Sequence, residues 1–128
     1  MSETSQKKIL IVDDEVHIVK ALEFLFSDAG YDIQTAHDGH TALQKALEFM
    51  PNVLLLDVMM PGMDGFTVAK TIRQNENLTD TYIIFLTAKG ASSDKMTGYD
   101  SGAEYYIVKP FDNDDILEKV TDILNTQY

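Results

Sequence analysis

Four places in the chain set a side chain capable of chemistry directly after a short apolar run. The run 9–12 (ILIV) leads into Asp13, Asp14 and Glu15, and 53–56 (VLLL) into Asp57; 82–86 (YIIFL) leads into Thr87 and Ala88, and 105–108 (YYIV) into Lys109 and Pro110. If the runs are strands of one parallel sheet, their carboxyl ends share an edge, which is where such sheets bind ligands. Two carboxylates about 5 Å apart repel by roughly 3 kcal/mol at an effective dielectric near 20, so that edge requires a cation. Oxygen ligands in a chain without cysteine favour a hard octahedral ion such as Mg²⁺, with Mn²⁺ or Ca²⁺ as substitutes, over zinc or copper. A carboxylate beside that ion, faced by a lysine and a hydroxyl, is suited to attack phosphorus. In this scheme Asp57 is the nucleophile, Thr87 donates a hydrogen bond, and the ion and Lys109 neutralise the phosphoryl oxygens.

Each group also has a plainer reading when taken singly. Asp13 and Asp14 could cap the following helix, and Asp57 could cap a turn. It is the recurrence of such groups after successive apolar runs that favours a site. His17, His37 and His40 read as solvated side chains, and Met59, Met60 and Met63 as loop or packing residues.

The elements that must hold these groups follow from periodicity. A weaker extended segment at 31–36 joins the four runs. Between them lie helical spacings such as Val19, Leu22, Leu25, Phe26, Ala29 and then Ala42, Leu43, Ala46, Leu47, Met50. A last helix buries Ile116, Leu117, Val120, Ile123 and Leu124, with Asp112 as its cap. Gly30 and Gly102 stand where helices would end in left-handed turns. The fourth helix, 93–101, is the poorest, being short and carrying Gly98. Strand and helix alternate five times, which predicts an α/β fold with a parallel sheet and 53–56 at its centre, covered on both faces.

With 128 residues, 45% of them apolar, the chain suits one domain, with residues 1–7 as a flexible tail. No apolar run nears the roughly 18 residues of a membrane helix, and no secretory segment is evident. The absence of cysteine fits a reducing cytoplasm. A net charge of −11 argues against direct contact with nucleic acid or anionic membrane and favours cations and basic protein surfaces.

Taken together, ILIVDDE, LLLDVMMPGMDGF, FLTAKG and GAEYYIVKPF make residues 7–126 resemble a response-regulator receiver domain of two-component signalling, CheY-like in type. The resemblance implies a flavodoxin-like (βα)5 three-layer sandwich with strand order 2-1-3-4-5, an order the chemotaxis receiver exemplifies. It implies that Asp57 is the phosphoacceptor and that Mg²⁺ is bound by Asp14, Asp57, the Met59 backbone carbonyl and, through water, Asp13. Thr87, Ala88 and Lys109 would bind the phosphoryl group, Thr87 and Tyr106 would form the switch pair, and the Lys109–Pro110 peptide would be cis. Met59 and Lys89 would border the path of an attacking water. The expected partners are a sensor histidine kinase or phosphotransfer protein and a downstream protein met through the fourth helix, fifth strand and last helix. The chain itself would be a monomer or a weak phosphorylation-dependent dimer, and a phosphoacceptor rather than a turnover enzyme.

Two other classes share parts of this pattern. A haloacid-dehalogenase-type hydrolase also uses a strand-end aspartate with Mg²⁺, but carries a second aspartate where this chain has Met59. A flavodoxin-like flavin module would need a hydroxyl- and glycine-rich phosphate loop where this chain has DDEVH.

Overall fold

The computed structural model describes residues 6–88 and 103–127. Within them the chain runs β1 (Lys8–Val12), α1 (Val16–Asp28), β2 (Asp32–Ala36), α2 (Gly39–Phe49), β3 (Val53–Asp57), α3 (Gly65–Arg73), a 3-10 turn (Glu76–Leu78), β4 (Tyr82–Ala88), β5 (Tyr105–Lys109) and α4 (Asn113–Gln127). The strands form one sheet in the order β2-β1-β3-β4-β5, and every pairing is parallel. This is the flavodoxin-like architecture. The expected helix at 93–101, Gly98, Gly102 and Lys89 lie outside the described residues.

Strand alternation sorts the core into two compartments. Ile9, Ile11, Val53, Leu55, Ile84 and Leu86 face α1 and α4, meeting Val19, Leu22, Phe26, Ile116, Val120 and Leu124. Leu10, Val12, Leu54, Leu56, Ile83 and Phe85 face α2 and α3, meeting Ala42, Ala46, Phe49, Val68, Ala69 and Ile72. The five residues of β3 are all buried, as a central strand covered on both faces requires.

The helix ends show which local rules hold. Gly30 takes φ 101° just after α1, and Asp112 Oδ1 accepts the Asp114 and Asp115 N–H groups at the start of α4. The buried stripe of α2 differs from the one expected. Leu47 and Met50 are exposed, and Gly39 and Phe49 are buried instead. The helix stops at Phe49 because Met50 itself turns left-handed, with φ 52°. Ala29 likewise is an exposed cap residue rather than part of the buried face of α1. Of the expected tail, residues 1–5 lie outside the described residues, and residues 6 and 7 make hydrogen bonds to the fold. Gln6 Nε2 donates to the Gly30 carbonyl at 2.9 Å, and the Lys7 carbonyl accepts from Asp32 N–H at 2.9 Å.

Candidate functional site

Asp57 ends β3, and Asp13 follows β1. Because Val12 lies opposite Leu56, continuing the register by one residue sets Asp13 beside Asp57. Both belong to the alternation that faces α1 and α4. Asp13 is fully buried and Asp57 nearly so, at 4% exposure. Asp13 Oδ1 accepts the Glu15 N–H at 2.9 Å, and Asp57 Oδ1 accepts the Met59 N–H at 3.3 Å, so each carboxylate also shapes its loop. Asp14 is exposed beside them. One carboxylate oxygen from each of Asp13, Asp14 and Asp57 lies within 4.8 Å of the other two.

Lys109, the last residue of β5, reaches this cluster across the end of β4. Its Nζ stands 2.8 Å from Asp13 Oδ2, 2.9 Å from Glu15 Oε1 and 3.5 Å from Asp57 Oδ1. Asp13 Oδ2 takes no hydrogen bond of good geometry among the described residues, so its contact with Lys109 is chiefly an ion pair. The Lys109–Pro110 peptide is cis. Asp14, Glu15, Asp57, Met59, Ala88 and Lys109 line a pocket of about 270 Å³. A larger hollow of about 360 Å³ lies away from the acids, between β5 and α4.

The electrostatics match this crowding. Burial, and then the charge of Asp13, push the Asp57 carboxyl up to about 7 even though Lys109 pulls the other way. Burial alone would lower Lys109. The close contacts with Asp13 and Glu15 and the charges of Asp57 and Asp13 outweigh it and hold the ammonium above its ordinary value. One ammonium does not neutralise this many carboxylates. Three convergent carboxylate oxygens, one of them on a fully buried aspartate, fit a hard divalent cation.

The loop after Asp57 is held by sterics. Gly62 takes φ 79°, and Gly65 N–H donates to the Val58 carbonyl at 2.9 Å. A Cβ on Gly65 would fall on the Asp57 carbonyl oxygen and within 2.9 Å of Val58 Cα. On the opposite face of the sheet, Thr87 is buried, and its Oγ1 has no hydrogen-bond partner among the described residues. Tyr106 packs against that same compartment, its ring 5.5 Å from the ring of Phe85.

Asp14, Asp57, Met59, Ala88 and Lys109 thus line one pocket, Asp13 is buried against Asp57 and Lys109, and Thr87 and Tyr106 belong to the opposite face of the sheet. Glu15 was visible as a third acid after the first strand, but nothing local tied it to Lys109. Gly65 carried no signal beyond its type. His17 and His40 are exposed. His37 is exposed too, yet its Nδ1 lies 3.1 Å from the Asp13 carbonyl oxygen. Met59 is exposed at the pocket, Met60 is buried, and Met63 packs against the core.

A 2-1-3-4-5 parallel sheet with clustered acids and a lysine on its carboxyl edge defines a receiver-type α/β domain. Residues 9–121 match the response regulator receiver domain, and the chain belongs to that family, the receiver domains of two-component response regulators. It is 40% identical over 117 residues to the DNA-binding dual master transcriptional regulator RpaA of Synechocystis sp., covering 91% of this chain and 48% of that protein. It is 40% identical over 120 residues to the response regulator ArlR of Staphylococcus saprophyticus, covering 94% and 53%. The chain spans about half the length of these curated relatives. Among solved structures it is similar to the chemotaxis protein CheY4 of Vibrio cholerae, with TM-score 0.87, 35% identity, and coverage of 92% and 98%. It is likewise similar to the receiver domain of the Francisella response regulator 1452, with TM-score 0.85, 29% identity, and coverage of 96% and 100%.

Proposed function

We propose that Asp57 accepts a phosphoryl group from the phosphohistidine of a sensor histidine kinase or phosphotransfer protein. The observation that carries the reading is the position of Asp57, at the end of the central strand within the three-carboxylate cluster and 3.5 Å from Lys109 Nζ. A carboxylate oxygen of Asp57 attacks phosphorus as the bond from phosphorus to the donor nitrogen breaks. The ring leaves as neutral imidazole when its other nitrogen carries the proton. Asp14, Asp57, the Met59 carbonyl and, through water, Asp13 would hold Mg²⁺, which when bound offsets charge on the phosphoryl oxygens. Lys109 supplies the second positive charge, and Ala88 borders the pocket that receives the group. The acyl phosphate is later lost to water on the same chain, so the protein does not turn over external substrates.

The Thr87 hydroxyl, without a hydrogen-bond partner among the described residues, supports a readout step. It would donate to a phosphoryl oxygen, and the Tyr106 ring, packed on the same side of the sheet, would follow into the space released. Phosphorylation would then shift a population that a downstream protein reads at β5, α4 and the 93–101 segment. The net charge of −11 favours a protein partner over direct contact with nucleic acid. The domain acts as a monomer or weak dimer in the cytoplasm, where a kinase charged from ATP would meet it. No described helix is long and apolar enough to cross a membrane.

Labelled phosphohistidine and Mg²⁺ test the reading. Wild type takes up one phosphoryl group per chain and Asp57→Ala takes up none. Equal labelling of the two proteins would remove the assignment.

A further inference from the structure

Lys109 is shared among three acids in this structure. Its Nζ lies closer to Asp13 and Glu15, at 2.8 and 2.9 Å, than to Asp57, at 3.5 Å. Asp13 is fully buried, and its other oxygen is fixed by the Glu15 N–H. Glu15 is different, because its side chain is 45% exposed, with His17 Nε2 4.0 Å from its second carboxylate oxygen. Of the three acids around the ammonium, Glu15 is the one that can let go.

A second observation concerns the helix that Glu15 begins. It occupies the N-cap of α1 with extended backbone, and its carbonyl accepts the Ile18 and Val19 N–H groups, yet its side chain makes no capping bond. An aspartate, asparagine or serine at that place would close back on the helix. Glutamate is one carbon too long to do so readily, and its carboxylate crosses to a lysine 94 residues away instead. A local rule is set aside at the point where the site begins, which is where such exceptions concentrate.

We infer that Glu15 is a positioning residue that parks Lys109 away from Asp57 and competes with the incoming phosphoryl group for its ammonium. The inference rests on the phosphoacceptor reading above. An ammonium has three N–H donors. Asp13 and Glu15, at 2.8 and 2.9 Å, leave one donor over and hold the ammonium on their side of the site, so gripping a phosphoryl group on Asp57 with more than that one donor requires one of them to release. Glu15 thereby sets the rate at which the site is charged and leaves the identity of the acceptor unchanged.

The experiment measures initial uptake from labelled acetyl phosphate with saturating Mg²⁺, in wild type, Glu15→Gln, Glu15→Asp, Asp57→Ala and Glu118→Gln. Glu118 is exposed on α4 and serves as the remote charge control. Glu15→Gln removes the charge, and Glu15→Asp keeps the charge but shortens its reach and gains a helix cap. Both should charge roughly two- to fivefold faster than wild type, the scale of a partly exposed ion pair, with Glu118→Gln unchanged. In metal-free protein, the Lys109 ammonium protons, followed by nitrogen-15 NMR, should exchange with water faster in both Glu15 variants. Glu15→Asp should also melt higher, which a merely structural role for Glu15 would not produce together with faster uptake. If Gln is faster while Asp matches wild type, general charge repulsion explains the rate and the parking contact is overturned. Unchanged or slower uptake in both variants overturns it as well. No label in wild type, or equal label in Asp57→Ala, removes the phosphoacceptor reading and this inference with it.

Discussion

The two ends of the sheet are built on opposite terms. At the amino ends of the strands, polar groups satisfy one another. Asn52 Oδ1 accepts the Lys8 N–H at 2.8 Å, and Thr81 Oγ1 donates to the Pro51 carbonyl at 2.9 Å. Arg73 grips both oxygens of Glu104 at 2.6 Å and donates to the Thr79 and Thr81 carbonyls, while Glu104 also accepts the Ile83 N–H. At the carboxyl ends, acids crowd a single ammonium, and Thr87 Oγ1 and Asp13 Oδ2 lack a hydrogen bond among the described residues. One end holds the strands together, and the other is held under repulsion by the rest of the fold. Strain of this kind collects where a site must stay ready for a ligand.

If this contrast is right, neutralising a charge should have opposite signs at the two ends. Asp57→Asn should stabilise the metal-free protein at pH 8 by on the order of 3 kcal/mol, measured by urea unfolding in EDTA. The folded protein holds the Asp57 proton up to about pH 7, against 3.8 for the ordinary carboxyl. Wild-type stability should therefore be greatest below pH 4 as far as this group is concerned, fall as the pH rises to about 7, and then level off. The Asn variant should lack that fall, and excess Mg²⁺ should flatten it in wild type. Destabilisation by Asp57→Asn at pH 8 would break the comparison.

Gly65→Ala sharpens it from the other side, because it changes shape and leaves charge alone. The added methyl meets backbone, so a loss of about 2–3 kcal/mol is expected, together with slower phosphoryl uptake as the loop after Asp57 shifts. A neutral melting shift would mean that the loop relaxes freely. At the amino end, Arg73→Ala should cost ~2 kcal/mol in the same denaturation assay, since it strips a carboxylate and two carbonyls of their donor. Thr81→Val leaves the Pro51 carbonyl without its buried donor and should cost about 1 kcal/mol, with phosphoryl uptake unchanged. Stabilisation by either substitution would show that the amino end is frustrated too.

The sequence was most readable where local pattern and global fold agree. Four apolar runs and a weaker extended segment marked the five strands, and the polar groups behind the four runs marked the edge, because a buried parallel strand stays apolar until it reaches solvent. The stripe of α2 was misjudged at Leu47 and Met50 because the helix ends at a left-handed methionine, a place usually signalled by glycine. Glu15 escaped assignment for a related reason. Its position before α1 speaks of a helix start, whereas its contact is set by the distance between the ends of β1 and β5. The grip of Arg73 on Glu104, 31 residues away, is equally absent from any periodicity.

Ile84 and Phe85 are chain neighbours that share no packing partners, since one is enclosed by α1 and α4 and the other by α2 and α3. The sheet therefore divides the interior into two rooms with a common wall. Each can drift in composition over evolutionary time, or be redesigned, without renegotiating the other. Asp13, Asp57 and Lys109 hang from one side of that wall and Thr87 and Tyr106 from the other, so each set takes its support from a different room.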